Sequence, residues 1–299
     1  MDRRVFLKTG VTAGAALALG RYDNLFANYA ENIDMVAVKG GEPDIMLDKA
    51  IEAFGGMGSF VKKGQKVVIK PNIGWDVDPE RAGNTNPKLV GRLIEHCYNA
   101  GAKEVYVFDH TCDDWKRCYS TSGIEKAAKD KKATVVPGNT ENYYQKVTIK
   151  EGKRLKETSV HELILSSDVF INLPVLKNHS SSKLSISMKN LMGVVWDRGY
   201  WHKNDLHQCI ADFATAYKPT LNIIDAYNVM MKNGPRGVSK ADVVQMKNLI
   251  ITRDIVAADA AAAKVFGMDP ATVGHIKYAS DMNVGKMDLS KLNIKRIIL

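Results

Sequence analysis

The chain has only four cysteines, Cys97, Cys112, Cys118 and Cys209, and no Cys-x-x-C pair. That excludes a ferredoxin-type ligand run, so no iron–sulfur cluster is expected on it. Cys112 and Cys118 are close enough in sequence to suggest a disulfide in an oxidising compartment. Cys97 and Cys209 sit in helical patterns and read as buried thiols. There is no P-loop, no Gly-x-Ser-x-Gly, no His-Glu-x-x-His, and no Gly-x-Gly-x-x-Gly after a strand. The commonest phosphate-loop, hydrolase, zinc-protease and dinucleotide signatures are therefore missing. No apolar run is long enough to span a bilayer. The net charge is +9, yet no Arg-rich run or aromatic-interleaved basic patch accompanies it. The charge thus points to small anionic ligands rather than nucleic acid. No repeat, low-complexity tract or clear linker interrupts the chain.

What is present suits an α/β protein. At 299 residues, 45% hydrophobic and 25% charged, the chain can bury a sizeable core as one large domain or two small lobes. Residues 1–30 stand apart. Arg3-Arg4, then Phe6-Leu7-Lys8, then a weakly apolar run from Gly10 to Gly20 predict a twin-arginine export signal. The expectation is a periplasmic protein that meets the twin-arginine export machinery, keeps no stable membrane span, and is exported already folded.

From residue 31 onward, apolar strands alternate with amphipathic helices. Strands are predicted at Ile33–Val38, Lys66–Ile69, Glu104–Phe108, Ala133–Val136, Val169–Leu173 and Leu221–Asp225, with further candidates at Asn248–Thr252 and Ile294–Leu299. Helices are predicted at Pro43–Phe54, Pro87–Ala100, 119–131, Lys183–Val194, Leu206–Tyr217, Asp254–Phe266 and Pro270–Ser280. The pattern predicts a mainly parallel sheet flanked by helices. Residues 138–160 alternate around Glu151-Gly152 and predict a small hairpin extension.

In open parallel sheets, ligands sit at the carboxyl ends of the strands. Four strand ends here carry polar or titratable groups, which predicts one shared crevice. Lys70 and Asn72 follow the first. Asp109-His110 follows the second. Lys177, Asn178 and His179 follow the third, and Asp225 ends the fourth, before a tight turn with Arg236. Lys183 and Asn190 share a face of the predicted 183–194 helix, whereas Lys189 is rotated off that face. On these grounds Lys70, Asn72, Lys177, Asn178, Asn190, Asp225 and Arg236 are ligand- or cofactor-binding candidates. His179, His207, Lys183 and Lys189 are acid–base candidates. His179, His207, Asp109 and His110 are the candidates for a metal site.

The blocks "VVIKPNIG", "GNTNPKLV", "INLPVLKNHSSSKLSISMKNLMGVV", "NGPRG" and "RDIVAADAAAAKVFGMDP", in this order, resemble the domain of unknown function 362 family from about Met35 to the C-terminus. Members often carry Lys-Thr-His where this chain has Lys177-Asn178-His179, and many carry an iron–sulfur insert whose cysteines are missing here. The resemblance supports Lys189 as a site residue and implies a domain rather than a reaction. A more distant similarity is to the nickel-pincer lactate racemase class, which implies histidines and a lysine around an organometallic cofactor. The combined expectation is an exported protein that binds an anionic small molecule, or a metal or organometallic cofactor. It would be an enzyme of redox or isomerase type or, alternatively, a non-catalytic cofactor-binding protein.

Overall fold

The centre of the molecule is built by strands with nearly continuous β-branched runs. A computed structural model describes residues 33–299. The expected export signal lies outside the described residues. Strands β1 (Met35–Lys39), β2 (Lys66–Pro71), β3 (Glu104–Val107), β4 (Thr134–Val135), β7 (Val169–Leu173), β10 (Leu221–Met230), β11 (Val243–Thr252) and β12 (Ile294–Ile298) form a sheet. Their order is β12-β1-β11-β10-β7-β2-β3-β4. Strands β10, β7, β2, β3 and β4 are parallel, as are β1 and β12, while β11 runs antiparallel to both neighbours. The fold is thus α/β, with a mixed but mainly parallel sheet flanked by helices.

Strand alternation divides the core into two layers. Val67, Ile69, Val169 and Ile171 pack on one face with Leu47 and Met46 of helix α1 (Pro43–Ala53) and Leu89 and Leu93 of α2 (Pro87–Asn99). Val68 and Phe170 pack on the other with α8 (Leu206–Ala216), α9 (Ile255–Phe266) and α10 (Gly274–Asp281). A central strand covered on both faces reads as a nearly continuous apolar run, as β2 and β7 do apart from Lys66, Lys70 and Asn172. Helix starts follow local chemistry. Asn86 caps α2 by accepting the Lys88 amide, with Pro87 at the first helical position. Asp254 accepts two amides at the start of α9. Strands β5 (Tyr144–Thr148) and β6 (Glu157–His161) form the separate hairpin.

Four predicted elements differ. Lys177–His179, expected only to follow the strand Val169–Leu173, forms the end of a further strand β8 (Val175–His179), which pairs with an extended β10 and with β9 (Lys183–Ser185). The predicted 183–194 helix is therefore wrong at its start. Lys183 has φ 65, a left-handed conformation foreign to helix interiors. The helix, α6, covers only Ser187–Asn190 and passes into a 3₁₀ turn at Leu191–Val194. Its start is set by a distant group: buried Asp259 of α9 accepts the amides of Ser187 at 2.6 Å and Met188 at 3.1 Å. The predicted 119–131 helix is two helices, α3 (Trp115–Thr121) and α4 (Ile124–Asp130), separated by Gly123 at φ 72. The predicted 270–280 helix begins as a 3₁₀ turn, with α10 starting at Gly274. Helices α5 (Glu162–Ser166) and α7 (Arg198–Lys203) complete the set.

Candidate functional site

The carboxyl ends of β2, β3 and β7 open on one crevice, closed from above by β8 and α6. Its inner part is a small cavity of about 60 Å³, lined by Lys70, Asn72, Asp109, Lys177, Lys189 and Asn190 among others. An outer chamber of about 660 Å³ continues from it. His110, Cys112, His179, Lys189 and Arg198 line both.

Lys70 is the floor. Its ammonium pairs with Asp109 at 2.9 Å and donates to Pro71 O at 2.9 Å and Asn190 Oδ1 at 2.7 Å. Both partners of the ion pair are buried. Burial pulls the Lys70 ammonium below its ordinary range, with Asp109 opposing. The other carboxylate oxygen of Asp109 accepts the Ile73 amide at 2.7 Å. Gly193 roofs the pair so closely that a Cβ there would overlap Asp109 Oδ1 and lie 2.6 Å from Lys70 Nζ.

A chain of amides runs through the wall in one direction. Asn72 Nδ2 donates to Asn190 Oδ1 at 3.1 Å, Asn190 Nδ2 to Asn172 Oδ1 at 2.8 Å, and Asn172 Nδ2 to Asn222 Oδ1 at 3.2 Å. Lys177 Nζ donates into the chain at Asn72 Oδ1, 2.9 Å away, and to Gly83 O. Asn172 also donates to Ser187 O at 3.0 Å, which ties α6 to the centre of the sheet.

The two histidines are held through the same ring nitrogen, Nδ1, in opposite roles. His110 Nδ1 donates to Val195 O at 2.9 Å, so its free Nε2 carries a lone pair in the neutral ring. His179 Nδ1 accepts the amides of Ser181 at 3.1 Å and Ser182 at 3.3 Å, so its Nε2 carries the hydrogen. Burial, reinforced by the Lys189 and Lys177 cations, pushes His179 down to about 3. Burial, together with Arg198, lowers His110. Both rings are therefore neutral at pH 7. Burial also lowers Lys177 to about 7 and Lys189 to about 8. The Lys189 ammonium has no hydrogen-bond or ion-pair partner among the described residues, whereas the Lys177 ammonium has two acceptors.

Arg198, at the start of α7, completes the positive lining. It donates to the carbonyls of His110 and Thr111, each at 2.8 Å, and lies 3.6 Å from Cys112 Sγ. Asp109 is the acidic residue of the inner cavity, and Lys70 already neutralises it.

The structure thus brings Lys70, Asn72, Asp109, His110, Lys177, His179, Lys189 and Asn190 to one crevice. It places five other candidates elsewhere. Lys183 lies outside because the β9 turn aims its ammonium at Thr272 O, 2.8 Å away. His207 turns from the crevice to His275, whose ring is 3.1 Å away and whose amide it accepts. Asn178 Oδ1 accepts the Gly234 amide. Asp225 is buried and accepts the amides of Asn86 and Tyr227. Arg236 pairs with Asp113 at 3.4 Å. Cys112 and Cys118 are free thiols rather than a disulfide, with Cys118 buried.

The four metal candidates do not form a ligand set. Asp109 is engaged by Lys70, His207 by His275, and His179 has a hydrogen on its free nitrogen. Among the described residues, no group of three or more His, Cys, Asp or Glu side chains could hold a metal ion. A cationic lining repels a bare metal cation and suits the acid group of an organic ligand.

Sequence reasoning missed Arg198, Cys112, Gly193, Trp75 and Trp196. Trp75 and Cys112 lie in loops after β2 and β3, so the strand-end rule reaches them. Arg198, Gly193 and Trp196 follow no strand, and only the tertiary fold delivers them.

The chain is similar to a thylakoid-associated protein of Synechocystis sp., with 26% identity over 231 residues, 75% of this chain and 70% of that protein. A crystal structure of a Thermotoga maritima protein matches with a TM-score of 0.49 and 12% identity, covering 81% of this chain and 60% of that one. The lactate racemase apoprotein of Thermoanaerobacterium thermosaccharolyticum matches with a TM-score of 0.45 and 11% identity, covering 85% and 58%. The family model described as Domain of unknown function (DUF362) matches residues 67–264, which hold the entire inner cavity, and the chain belongs to that family.

Proposed function

We propose that the crevice binds a small organic acid and moves a proton on it, as an isomerase-type enzyme does. The observation that carries this reading is the convergence of Lys70, Lys177, Lys189 and Arg198 on a cavity whose carboxylate is already neutralised. Lys189, lacking a protein partner, is the first donor an anionic head would meet. His110 offers a neutral Nε2 lone pair for proton abstraction, and His179 offers an Nε2–H to the developing charge.

The test is calorimetric. Lys177 and Lys189 are lowered to about 7 and 8, so at pH 8 both are substantially neutral. A bound anion favours the ammonium, so binding should take up protons. Titration with acetate in buffers of different ionisation enthalpy should show that uptake. Lys189→Ala should weaken binding roughly tenfold or more, the scale of one charge-assisted hydrogen bond. Absence of acetate and phosphate binding to the wild-type protein would sink the reading.

A second reading is a non-catalytic binding protein for a larger organic anion or cofactor. The outer chamber, about 660 Å³, exceeds what a small acid fills and supports it. Tight binding without exchange of a substrate proton for solvent deuterium would favour this reading.

We propose further that the protein is exported to the periplasm by the twin-arginine route. Arg3-Arg4 and Phe6-Leu7-Lys8 support this. Among the described residues, no helix is long and apolar enough to cross a membrane. Retention of an Arg3→Lys/Arg4→Lys variant in the cytoplasmic fraction is the expected result; unchanged export would refute it.

A further inference from the structure

The inner cavity and the outer chamber differ in chemistry. The inner one, about 60 Å³, has room for a head group of a few heavy atoms and is walled by charge and amides. The outer one has aromatic walls. Trp196 stands in it, stacked on His110 with centroids 5.1 Å apart and planes 6° apart, and backed by Tyr144 at 5.4 Å. Trp75 stands in both parts and meets no other ring among the described residues, and its backbone is held at both ends by the Asn84 side chain.

Large rigid rings left half-exposed at a ligand chamber are stacking platforms, because their π-faces gain most from another planar π-system. The charge layout adds direction. Lys70 and Lys177 lie only in the inner cavity, whereas the outer chamber gains Asp197. A ligand that fits both parts has its acid at the inner end and no anionic group at the outer end.

We infer that the crevice takes a planar aromatic monoacid, its acid group in the inner cavity and its ring against Trp75 and Trp196. This rests on the anion-binding reading above and adds the chemical class of the ligand body.

The test compares acids that share a head and differ in the body. Acetate, cyclohexanecarboxylate, benzoate and 2-naphthoate are titrated against the full protein, by calorimetry and by quenching of tryptophan fluorescence. The expected order is 2-naphthoate tighter than benzoate, and benzoate tighter than cyclohexanecarboxylate, with about tenfold between 2-naphthoate and cyclohexanecarboxylate. Trp75→Leu should abolish that preference, with 2-naphthoate binding weakened about tenfold more than acetate binding, and Trp75→Phe should restore part of it. Cyclohexanecarboxylate binding as well as benzoate and 2-naphthoate would overturn the inference while leaving the anion site intact. An equal loss of acetate and 2-naphthoate in a folded Trp75→Leu protein would overturn the stacking role. If no acid binds, both the inference and the anion reading fail.

Discussion

His110 and His179 face one crevice with opposite hydrogen-bonding character: His110 gives its Nδ1 hydrogen to a carbonyl, and His179 takes two amides on its Nδ1. Two histidines so fixed cannot exchange roles without rebuilding the backbone around them. The neutral state of His179 also links this geometry to acid stability. An unfolded histidine takes up its proton near pH 6.5, as in model peptides. Folded His179 resists protonation down to about 3. Between those values the unfolded state binds more protons, so the contribution of His179 is complete above about pH 6.5 and is lost as pH falls towards 3. Urea denaturation at pH 7 and pH 4.5 should show a loss of stability on acidification. His179→Gln should show a smaller loss; an identical pH dependence in that variant would refute the neutral assignment.

The Lys70–Asp109 pair should be costly to break. Removing one partner of a buried pair leaves an uncompensated charge, at about 3–5 kcal/mol. Lys70→Met and Asp109→Leu should each lose stability on that scale, and the double variant should regain much of it. Gly193→Ala should resemble the single variants, because its Cβ would occupy the space of Asp109 Oδ1. Denaturant midpoints measure all four. Additive losses in the double variant would mean that the two groups do not act as a pair.

The strand-end rule explains how much of this site could be read from sequence. Lys70, Asn72, Asp109 and His110 directly follow parallel strands, and apolar runs locate those strands. Asn172 is the one polar residue of the predicted strand Val169–Leu173, an anomaly in the sequence whose cause is the amide chain. Lys183 shows where periodicity failed. It assumed that α6 begins near residue 183, but Asp259, 72 residues from Ser187, sets the start. No local pattern encodes that contact. The same shift brings Lys189 into the crevice and leaves Lys183 outside.

Cys112 reports on the field of the crevice. It is the exposed thiol of the four, and Cys97, Cys118 and Cys209 are buried. With Arg198 3.6 Å away and Lys189 and Lys177 also acting on it, an anionic reagent should be drawn to it. Carboxymethylation by iodoacetate should gain on alkylation by neutral iodoacetamide, relative to the ratio for a free cysteine peptide. Raising salt to 1 M shortens the screening length to about 3 Å and should cut the iodoacetate rate more. Arg198→Gln should lower the ratio at low salt. A ratio equal to that of the free peptide, insensitive to salt, would mean that the crevice carries no such field.

The amide chain makes a sharper demand at Asn172, where the test can separate polarity from packing. Asn172→Asp preserves shape, but a carboxylate cannot donate to Ser187 O or Asn222 Oδ1, which receive hydrogens from Asn172 Nδ2. Leaving two buried acceptors unpaired costs roughly 2–6 kcal/mol. The introduced carboxyl is buried in the sheet, so folding favours its protonated form, which can donate one of the two lost hydrogen bonds. In the folded state its proton affinity exceeds that of the unfolded carboxyl. The variant's deficit should therefore be greatest at neutral pH and shrink as pH falls towards 5, opposite to the trend that His179 imposes on the wild type. Denaturation of both proteins across pH 5–8 separates the two effects. A deficit independent of pH would place the role of Asn172 in packing rather than in the direction of the chain.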